Sequence, residues 1–277
     1  MKIETTNRTM KFKTVHQTRA PETYRPGKRE KVTDLSRQSQ NRLKEKLKTM
    51  QNPSYFLTLN IHDKAFFNIK GFEARNRKAT RLMKKLTREL ERKGYNGFVR
   101  KELKIRKSGH YQGQVLPHYH LVLDKEISSA LYSELLHTWA ASQGLSEREC
   151  RRYGTTLFDG QAITDLNKVI QYMTKDADDR AIEALKGAPT GRHWYEIGQV
   201  KYEEPTTHDF TNNPKGFFRI KRAIKNYAAR MKEQYSTRCK KLSKALQFRF
   251  NGAFQDVTVF VPRVISERLI SYHLATT

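Results

Sequence analysis

The sequence predicts an α+β fold in which helices flank a central antiparallel β-sheet. Short segments alternate apolar and polar residues with the period of two that strands have, whereas longer segments repeat apolar residues at helical spacing. Two alternating segments, residues 97–105 and 117–123, are separated by a short polar stretch, which indicates an antiparallel hairpin. We expect the second strand of this hairpin, which contains two histidines, in the middle of the sheet, and the helices on one face of it.

The remaining elements follow from the same two periodicities. The segment 55–61 reads as a strand with Leu57 and Leu59 on one face and with Thr58 and Asn60 on the other. Further strands are predicted at 154–160 and about 193–199, and helices at 36–50, 73–94, 126–142, 162–177 and 216–249. The tail from residue 254 first alternates and then becomes helical.

Composition divides the chain into three parts. Residues 1–35 are polar and basic with few aliphatic side chains, which predicts a mostly disordered arm. Residues 36–205 hold the predicted sheet and its helices and form the main domain. Residues 206–277 are basic and mostly helical, and nothing in their pattern assigns them a role.

The charge balance indicates a polyanionic partner. The 277 residues include 54 Lys plus Arg against 28 Asp plus Glu, a formal net charge of +26. Such an excess favours nucleic acid as the partner, ahead of a membrane surface. No apolar stretch approaches the ~20 residues of a membrane span, and the start of the chain lacks the apolar run of a signal peptide. With two distant cysteines and no Cys-x-x-Cys pair, we expect a protein of the cytoplasm.

The histidine strand is the strongest candidate for a functional site. His118 and His120 alternate with Tyr119 and Leu121, so the two imidazoles share a face about 7 Å apart while the apolar residues face a core. If the hairpin register allows it, Glu102 lies beside them. Two imidazoles and one carboxylate can bind Mg²⁺, Mn²⁺ or Zn²⁺ with open positions. The alternatives are two half-exposed histidines and a glutamate that pairs with neighbouring lysines.

A tyrosine stands off the apolar side of the predicted helix 162–177. At about 100° per residue, Tyr172 lies roughly 130° from the centre of the apolar stripe, and Lys175 at i+3 lies beside it. Such a pair is free to contact something other than the core. A surface tyrosine of an amphipathic helix is the alternative. The stripe itself consists of Ile163, Leu166, Ile170, Met173 and Ala177.

Three stretches in this order resemble the motifs of one enzyme family. They are Phe-Leu-Thr-Leu-Asn at 56–60, Pro-His-Tyr-His-Leu-Val-Leu at 117–123 and Tyr-Met-Thr-Lys at 172–175. The order resembles HUH-type endonucleases, specifically the rolling-circle replication initiator (Rep) proteins of small phages and plasmids. The single tyrosine is similar to the one-tyrosine class, since position 176 is Asp176. Gly-Arg-His-Trp at 191–194 is similar to a segment of some phage initiators, so the resemblance covers roughly residues 53–200.

The resemblance implies an activity and a role for each candidate residue. A divalent ion, Mg²⁺ or Mn²⁺, would be bound by His118, His120 and Glu102. Tyr172 would attack a phosphodiester of single-stranded DNA at a replication origin, leaving a 5′-phosphotyrosine and a 3′-OH primer, and Lys175 would assist it. Strands could be rejoined by the same site, and a host helicase and polymerase would continue replication. Two further residues, Arg192 and Trp194, are candidates for binding a phosphate and stacking a base.

Other functions share some of these features. Relaxases and single-strand transposases use the same chemistry, although the order of motifs and the chain length favour an initiator. A non-catalytic basic nucleic-acid-binding protein would explain the charge but not the joint presence of the histidine pair and Tyr172. A phosphate-transfer enzyme of the histidine-triad kind needs a third alternating histidine, and Val122 occupies that position.

Overall fold

The structure, a computed structural model, describes residues 1–13, 32, 35–175, 178–235 and 257–275. It divides into two compact units. One unit is formed from both ends of the chain, within residues 1–27 and 202–277, and the other lies within residues 28–201. In the part of the chain that is described, no helix combines the length and the apolar character needed to cross a membrane.

The strands and helices follow one another along the chain as listed here. The strands are β1 (Lys2–Thr5), β2 (Thr9–Lys13), β3 (Tyr55–Leu59), β4 (Gly97–Ile105), β5 (Val115–Leu123), β6 (Phe158–Ala162), β7 (Trp194–Ile197), β8 (Thr206–Asp209) and β9 (Val257–Phe260). The helices are α1 (Arg37–Thr49), α2 (Phe72–Arg92), α3 (Ser129–Ala141), α4 (Glu147–Leu157), α5 (Leu166–Thr174), α6 (Asp179–Ala184), α7 (Pro214–Tyr235) and α8 (Arg263–Ala275).

The larger unit contains a five-stranded sheet in the order β6-β3-β5-β4-β7. Every neighbouring pair is antiparallel, and β5, the histidine strand, is central. The predictions of an α+β fold and of a central histidine strand are therefore confirmed. Strand β5 pairs with β4 along its whole length and with β3 over Tyr119–Leu123, so His120 has a paired strand on each side.

Helices cover both faces of this sheet. On one face, α2 and α3 pack over Tyr119 and Leu121 of β5 and bury them in the main core with Leu86 and Trp139. On the other face, Tyr172 of α5 lies over Phe56, with ring centroids 6.3 Å apart. The expectation that all helices lie on one face was therefore wrong. Helices are needed on both faces of the sheet, because the face that carries the histidines is also largely buried.

Two element boundaries differ from the sequence prediction around the tyrosine helix. Residues 147–157 form α4, which begins with a capping box at Ser146, so the strand predicted at 154–160 starts only at Phe158. Helix α5 begins after Asp165, whose carboxylate accepts from the first free backbone N–H groups, and ends at Thr174. Residues 176–177, which the prediction included, lie outside the described residues.

The smaller unit has a four-stranded antiparallel sheet in the order β8-β1-β2-β9. Ile3 and Phe12 are fully buried in its core with Phe217 of α7 and Ile270 of α8. The predicted disordered arm is thus ordered in residues 2–13, because β1 and β2 pair as a hairpin whose apolar side chains are buried by α7 and α8, which lie far away in sequence. The predicted helix 216–249 is described only as far as Tyr235, and residues 236–256 lie outside the described residues.

Replacing Phe12 by alanine tests this correction. The ring is fully buried and meets Phe217 edge to face at 5.7 Å, so Phe12→Ala should lower the free energy of unfolding by about 3–5 kcal/mol. The control Lys11→Ala, whose side chain alternates to the other face, should change it by less than about 0.5 kcal/mol. Chemical denaturation followed by circular dichroism measures both, and equal stability of the two variants would mean that this segment is not part of a core.

Candidate metal centre

The pairing of β4 with β5 assembles the three predicted ligands. Glu102 lies directly opposite His118, and His120 is two residues further along the same face of β5. All three side chains are buried, and one ligand atom from each lies within 4.8 Å of the others. This group could bind a metal ion, as the sequence predicts, and the hairpin register that the prediction required is the one the structure has.

The surroundings of His118 prepare one ring nitrogen for a cation. Its Nδ1 lies 2.7 Å from Oδ1 of Asn60, an oxygen that only accepts, so Nδ1 carries the proton. Burial lowers the pKa of His118 to about 3, and the nearby His120 and Lys104 add to this effect. The imidazole is therefore neutral at pH 7, and Nε2 keeps the lone pair that a metal needs.

Glu102 supplies the negative charge of the group. Burial opposes its ionisation, but hydrogen bonds from His120 and Lys104 prevail and lower the pKa of Glu102 to about 2. Its Oε2 lies 3.2 Å from Nε2 of His120 and 3.0 Å from Nζ of Lys104. An ionised carboxylate only accepts, so Nε2 of His120 donates here and Nδ1 accepts from the hydroxyl of Thr58 at 3.2 Å. A cation bound to Nε2 of His120 would replace the proton on that nitrogen.

The donor set fits a divalent cation. A neutral imidazole, a second imidazole and an ionised carboxylate, all buried, provide nitrogen and oxygen ligands with one net negative charge. No thiolate takes part, since Cys150, the free cysteine among the described residues, lies in the core on the other side of the sheet. Several divalent metals accept such ligands, so the donors alone leave the identity of the metal open.

Tyr172 lies on the same side of the sheet as the metal ligands. The inward side of α5 is formed by Val169, Ile170 and Met173, which are buried, whereas Tyr172 is 60% exposed. The Phe56 ring connects it to the group: it stacks on His120 with centroids 5.4 Å apart and lies 6.3 Å from the Tyr172 ring. The position off the apolar stripe that the sequence predicts for Tyr172 is the observed one.

Lys175 is the first residue after α5. The helix ends at Thr174, earlier than the predicted residue 177, and Lys175 combines a φ of −59° with a ψ of 142° and has an exposed side chain. The pairing of Lys175 with Tyr172 stays a prediction. Its carbonyl oxygen accepts a hydrogen bond from Nη2 of Arg100 at 3.4 Å.

The two predicted DNA contacts lie at the outer edge of the sheet. Arg192 is exposed, and both Arg192 and Trp194 line a cleft beside β7. Trp194 is half-buried: its Nε1 donates to the hydroxyl of Ser39 on α1 at 2.8 Å, and its ring lies 6.4 Å from that of Phe98. The indole is thus held between the sheet and α1, with only part of its face available to a ligand.

Sequence reasoning missed a cationic cluster that joins three segments. Arg100, almost fully buried, lies opposite His120 in the ladder. Its guanidinium contacts Nδ1 of His193 at 3.2 Å as well as the Lys175 carbonyl. His193 in turn lies 2.7 Å from the hydroxyl of Thr190. The cluster therefore ties β4 to the end of α5 and to the start of β7. The available signal was that Arg100 alternates onto the same face as Glu102.

Comparison of the chain with protein-family models, with curated proteins and with solved structures finds no match in any of the three. The site itself, with its geometry and charges, therefore carries the functional argument.

Asn60 offers a test of the metal centre that leaves its ligands intact. Asn60→Ala removes the acceptor that fixes His118, so Mn²⁺ affinity should fall about 10- to 100-fold. Asn60→Asp keeps an acceptor oxygen and should retain most of the affinity. Isothermal titration with Mn²⁺ measures both variants beside His118→Ala, which should bind poorly. If His118→Ala binds Mn²⁺ as tightly as the wild type does, this group is not the metal site.

Because His193 is buried, we expect the free energy of unfolding to decrease in mild acid. Burial, followed by the nearby charges of Arg100 and Lys101, lowers the pKa of His193 to about 3 from its ordinary value of 6.5. The folded state thus binds fewer protons than the unfolded state between these values. The contribution of neutral His193 to the free energy of unfolding is fully present above pH 6.5. Below pH 6.5 this contribution decreases by about 1.4 kcal/mol per pH unit.

Unfolding free energies at pH 7.5 and 5.5 check the contribution of His193. The wild type should lose roughly 1 kcal/mol more over this interval than His193→Gln, which has no group to protonate at that position. The comparison concerns the change with pH, so a lower stability of the variant at both pH values does not affect it. Identical pH slopes would show that His193 is not held in the neutral form.

Proposed function

We propose that this protein is a metal-dependent endonuclease that nicks single-stranded DNA through a tyrosine nucleophile, in the manner of a one-tyrosine HUH-type initiator of rolling-circle replication. One observation carries the proposal. A buried group of two histidines and a glutamate, suited to a divalent cation, has an exposed tyrosine on its own side of the sheet. The tyrosine is an available nucleophile, and a divalent cation held by the group would bind the phosphate that it attacks.

The proposed step is an in-line exchange at phosphorus. The Tyr172 hydroxyl loses its proton to solvent, and its oxygen forms a bond to the scissile phosphorus. The bond from phosphorus to the 3′ oxygen breaks, and that oxygen takes a proton from water. The products are a 5′-phosphotyrosine and a free 3′-OH, so the number of phosphoester bonds is unchanged. Reversal of the same step rejoins strands without a nucleotide cofactor.

Other residues near Tyr172 would assist the proposed step. His118, His120 and Glu102 would hold Mg²⁺ or Mn²⁺, which when bound supplies Lewis-acid polarisation of a non-bridging phosphate oxygen. Asn60 and Thr58 orient the two imidazoles. Lys175 is exposed directly after α5 and lies three residues from Tyr172. In the proposed step it would neutralise part of the charge of the phosphate that Tyr172 attacks.

The charge of the protein supports DNA as the substrate. A net charge of +26 attracts polyanions such as DNA. In the proposed role, the protein acts in the host cytoplasm at the replication origin of a phage or plasmid, and the 3′-OH primes synthesis by a host polymerase together with a helicase. A relaxase or a single-strand transposase would use the same step and differ in the DNA that it recognises.

Cleavage of end-labelled single-stranded DNA tests the proposal. The wild type with Mn²⁺ should cut an oligonucleotide from its cognate origin and remain attached to the 5′-phosphate side. Tyr172→Phe should reduce cutting by at least about 10³-fold, because the nucleophilic oxygen is absent. The matched control is Tyr272→Phe, which changes a tyrosine of similar exposure, 65%, in the other unit. EDTA should abolish cutting by all three proteins.

Each alternative has its own signature in this assay. If Tyr172→Phe cuts as well as the wild type, Tyr172 is not the nucleophile. If the wild type binds DNA of many sequences with either metal and never cuts, the protein is a basic nucleic-acid-binding protein and the metal centre has another purpose.

A further inference from the structure

We infer that the cleft beside β7 binds the phosphodiester backbone of a DNA strand, at a place separate from the metal centre. The cleft has a volume of 1260 Å³ and lies within the larger unit, between the start of α1, one side of α2 and the segment 189–196. Its position follows from β7 being an edge strand of the sheet. The inference rests on the proposed function for the identity of the polyanion as DNA.

The rim of the cleft carries a row of cations. Arg77, Arg81 and Lys84 occupy successive turns of the side of α2 that lines the cleft, and Arg192 approaches from the segment before β7. Arg77 has a carboxylate partner, Glu73, at 3.5 Å. Among the residues that the structure describes, no carboxylate forms an ion pair with Arg81, Lys84 or Arg192. The row is therefore available to a ligand with several negative charges.

The floor of the cleft contains a buried cation with neutral partners. Lys101 is only 4% exposed, and its Nζ lies 3.3 Å from Oδ1 of Asn76 and also donates to the carbonyl oxygen of Thr190. Within the described ranges, Lys101 has no carboxylate partner. Burying a charge without a counter-charge is costly, and an anion in the cleft would offset that cost. The buried lysine is thus an observation independent of the charged rim.

The arrangement suits a strand better than a single phosphate. Cations that recur at each turn of α2 are spaced by about 5 Å along the helix, so they can follow consecutive phosphates. The exposed part of Trp194, which also lines the cleft, offers aromatic surface on which a base can stack. A groove that combines a basic track with aromatic side chains is the usual design for single-stranded nucleic acid.

The cleft and the metal centre would bind different parts of the DNA. Lys101 and Glu102 are neighbours in β4, and neighbouring residues of a strand point to opposite faces of the sheet. None of the three metal ligands lines the cleft. The two sites therefore share no residue, and in this inference the cleft binds a segment of DNA other than the nucleotide at the scissile phosphate.

Two double variants on the same helix test this inference. Arg81→Gln/Lys84→Gln removes two charges from the cleft. Lys85→Gln/Arg88→Gln is the control, because it removes two exposed charges with the same spacing that do not line the cleft. Affinity for a fluorescent single-stranded oligonucleotide is measured by anisotropy in EDTA at several salt concentrations, so that no cleavage occurs.

The expected results differ between the two pairs. The cleft variant should bind roughly tenfold more weakly or worse, and its slope of log affinity against log salt should be smaller by about 1.4, the value for two lost phosphate contacts. The control should change both quantities much less. Lys101→Met, which removes the buried charge at similar volume, should also weaken binding. Equal losses in the cleft and control pairs would overturn the inference, because they would reflect net charge alone.

A competition experiment identifies the ligand further. Inorganic phosphate should displace the oligonucleotide only at far higher phosphate concentration than unlabelled DNA does. Equal potency per phosphate would mean that the cleft is a small-anion site, which overturns the assignment to a strand. These results are independent of the nuclease proposal. If the protein binds DNA through the cleft but never cuts it, the inference about the cleft still holds. If the protein cuts DNA and both double variants bind DNA as tightly as the wild type, the inference is wrong.

Discussion

The register between β4 and β5 is the constraint on which the candidate site depends. A shift by one residue would turn every side chain of one strand to the opposite face, and Glu102 would leave the histidines for the apolar core. The core prevents this shift, because Val99 of β4 and Tyr119 and Leu121 of β5 are buried under α2 and α3. The apolar residues thus set the metal ligands in place, although they take no part in the chemistry.

The charges near the site act over different distances. A protein with a net charge of +26 repels a free divalent cation at long range, so a cation site in it needs a local negative charge such as that of Glu102. Burial keeps His118 neutral, while hydrogen bonds keep Glu102 ionised. The same low dielectric that makes the buried cations Arg100 and Lys101 costly also strengthens this local attraction. The surrounding positive charge then favours an anionic substrate over other ligands.

Local patterns predicted the site better than they predicted the ends of the chain. The alternation at 117–123 and at 97–105 was sufficient for the three ligands, because a hairpin needs only neighbouring residues to fix its partners. The two N-terminal strands also form a hairpin with each other, but their short alternation is hidden in a polar, basic segment. The strands that complete their sheet, β8 and β9, lie about 200 and 250 residues further along. The predicted tyrosine helix was too long at both ends, because helix ends depend on single residues. Arg100 was visible as a charge on the correct face, but its partners His193 and the Lys175 carbonyl come from distant segments.

Strand β4 connects the metal centre with the proposed DNA cleft. Arg100 and Glu102 point to the side of the histidines, and the residue between them, Lys101, points to the cleft. Both sites therefore include residues of one strand, which pairs with β5 along its whole length. A DNA strand bound in the cleft would present its scissile segment to the metal centre at a high effective concentration. Binding energy gained away from the scissile phosphate would then serve to position it for attack by Tyr172.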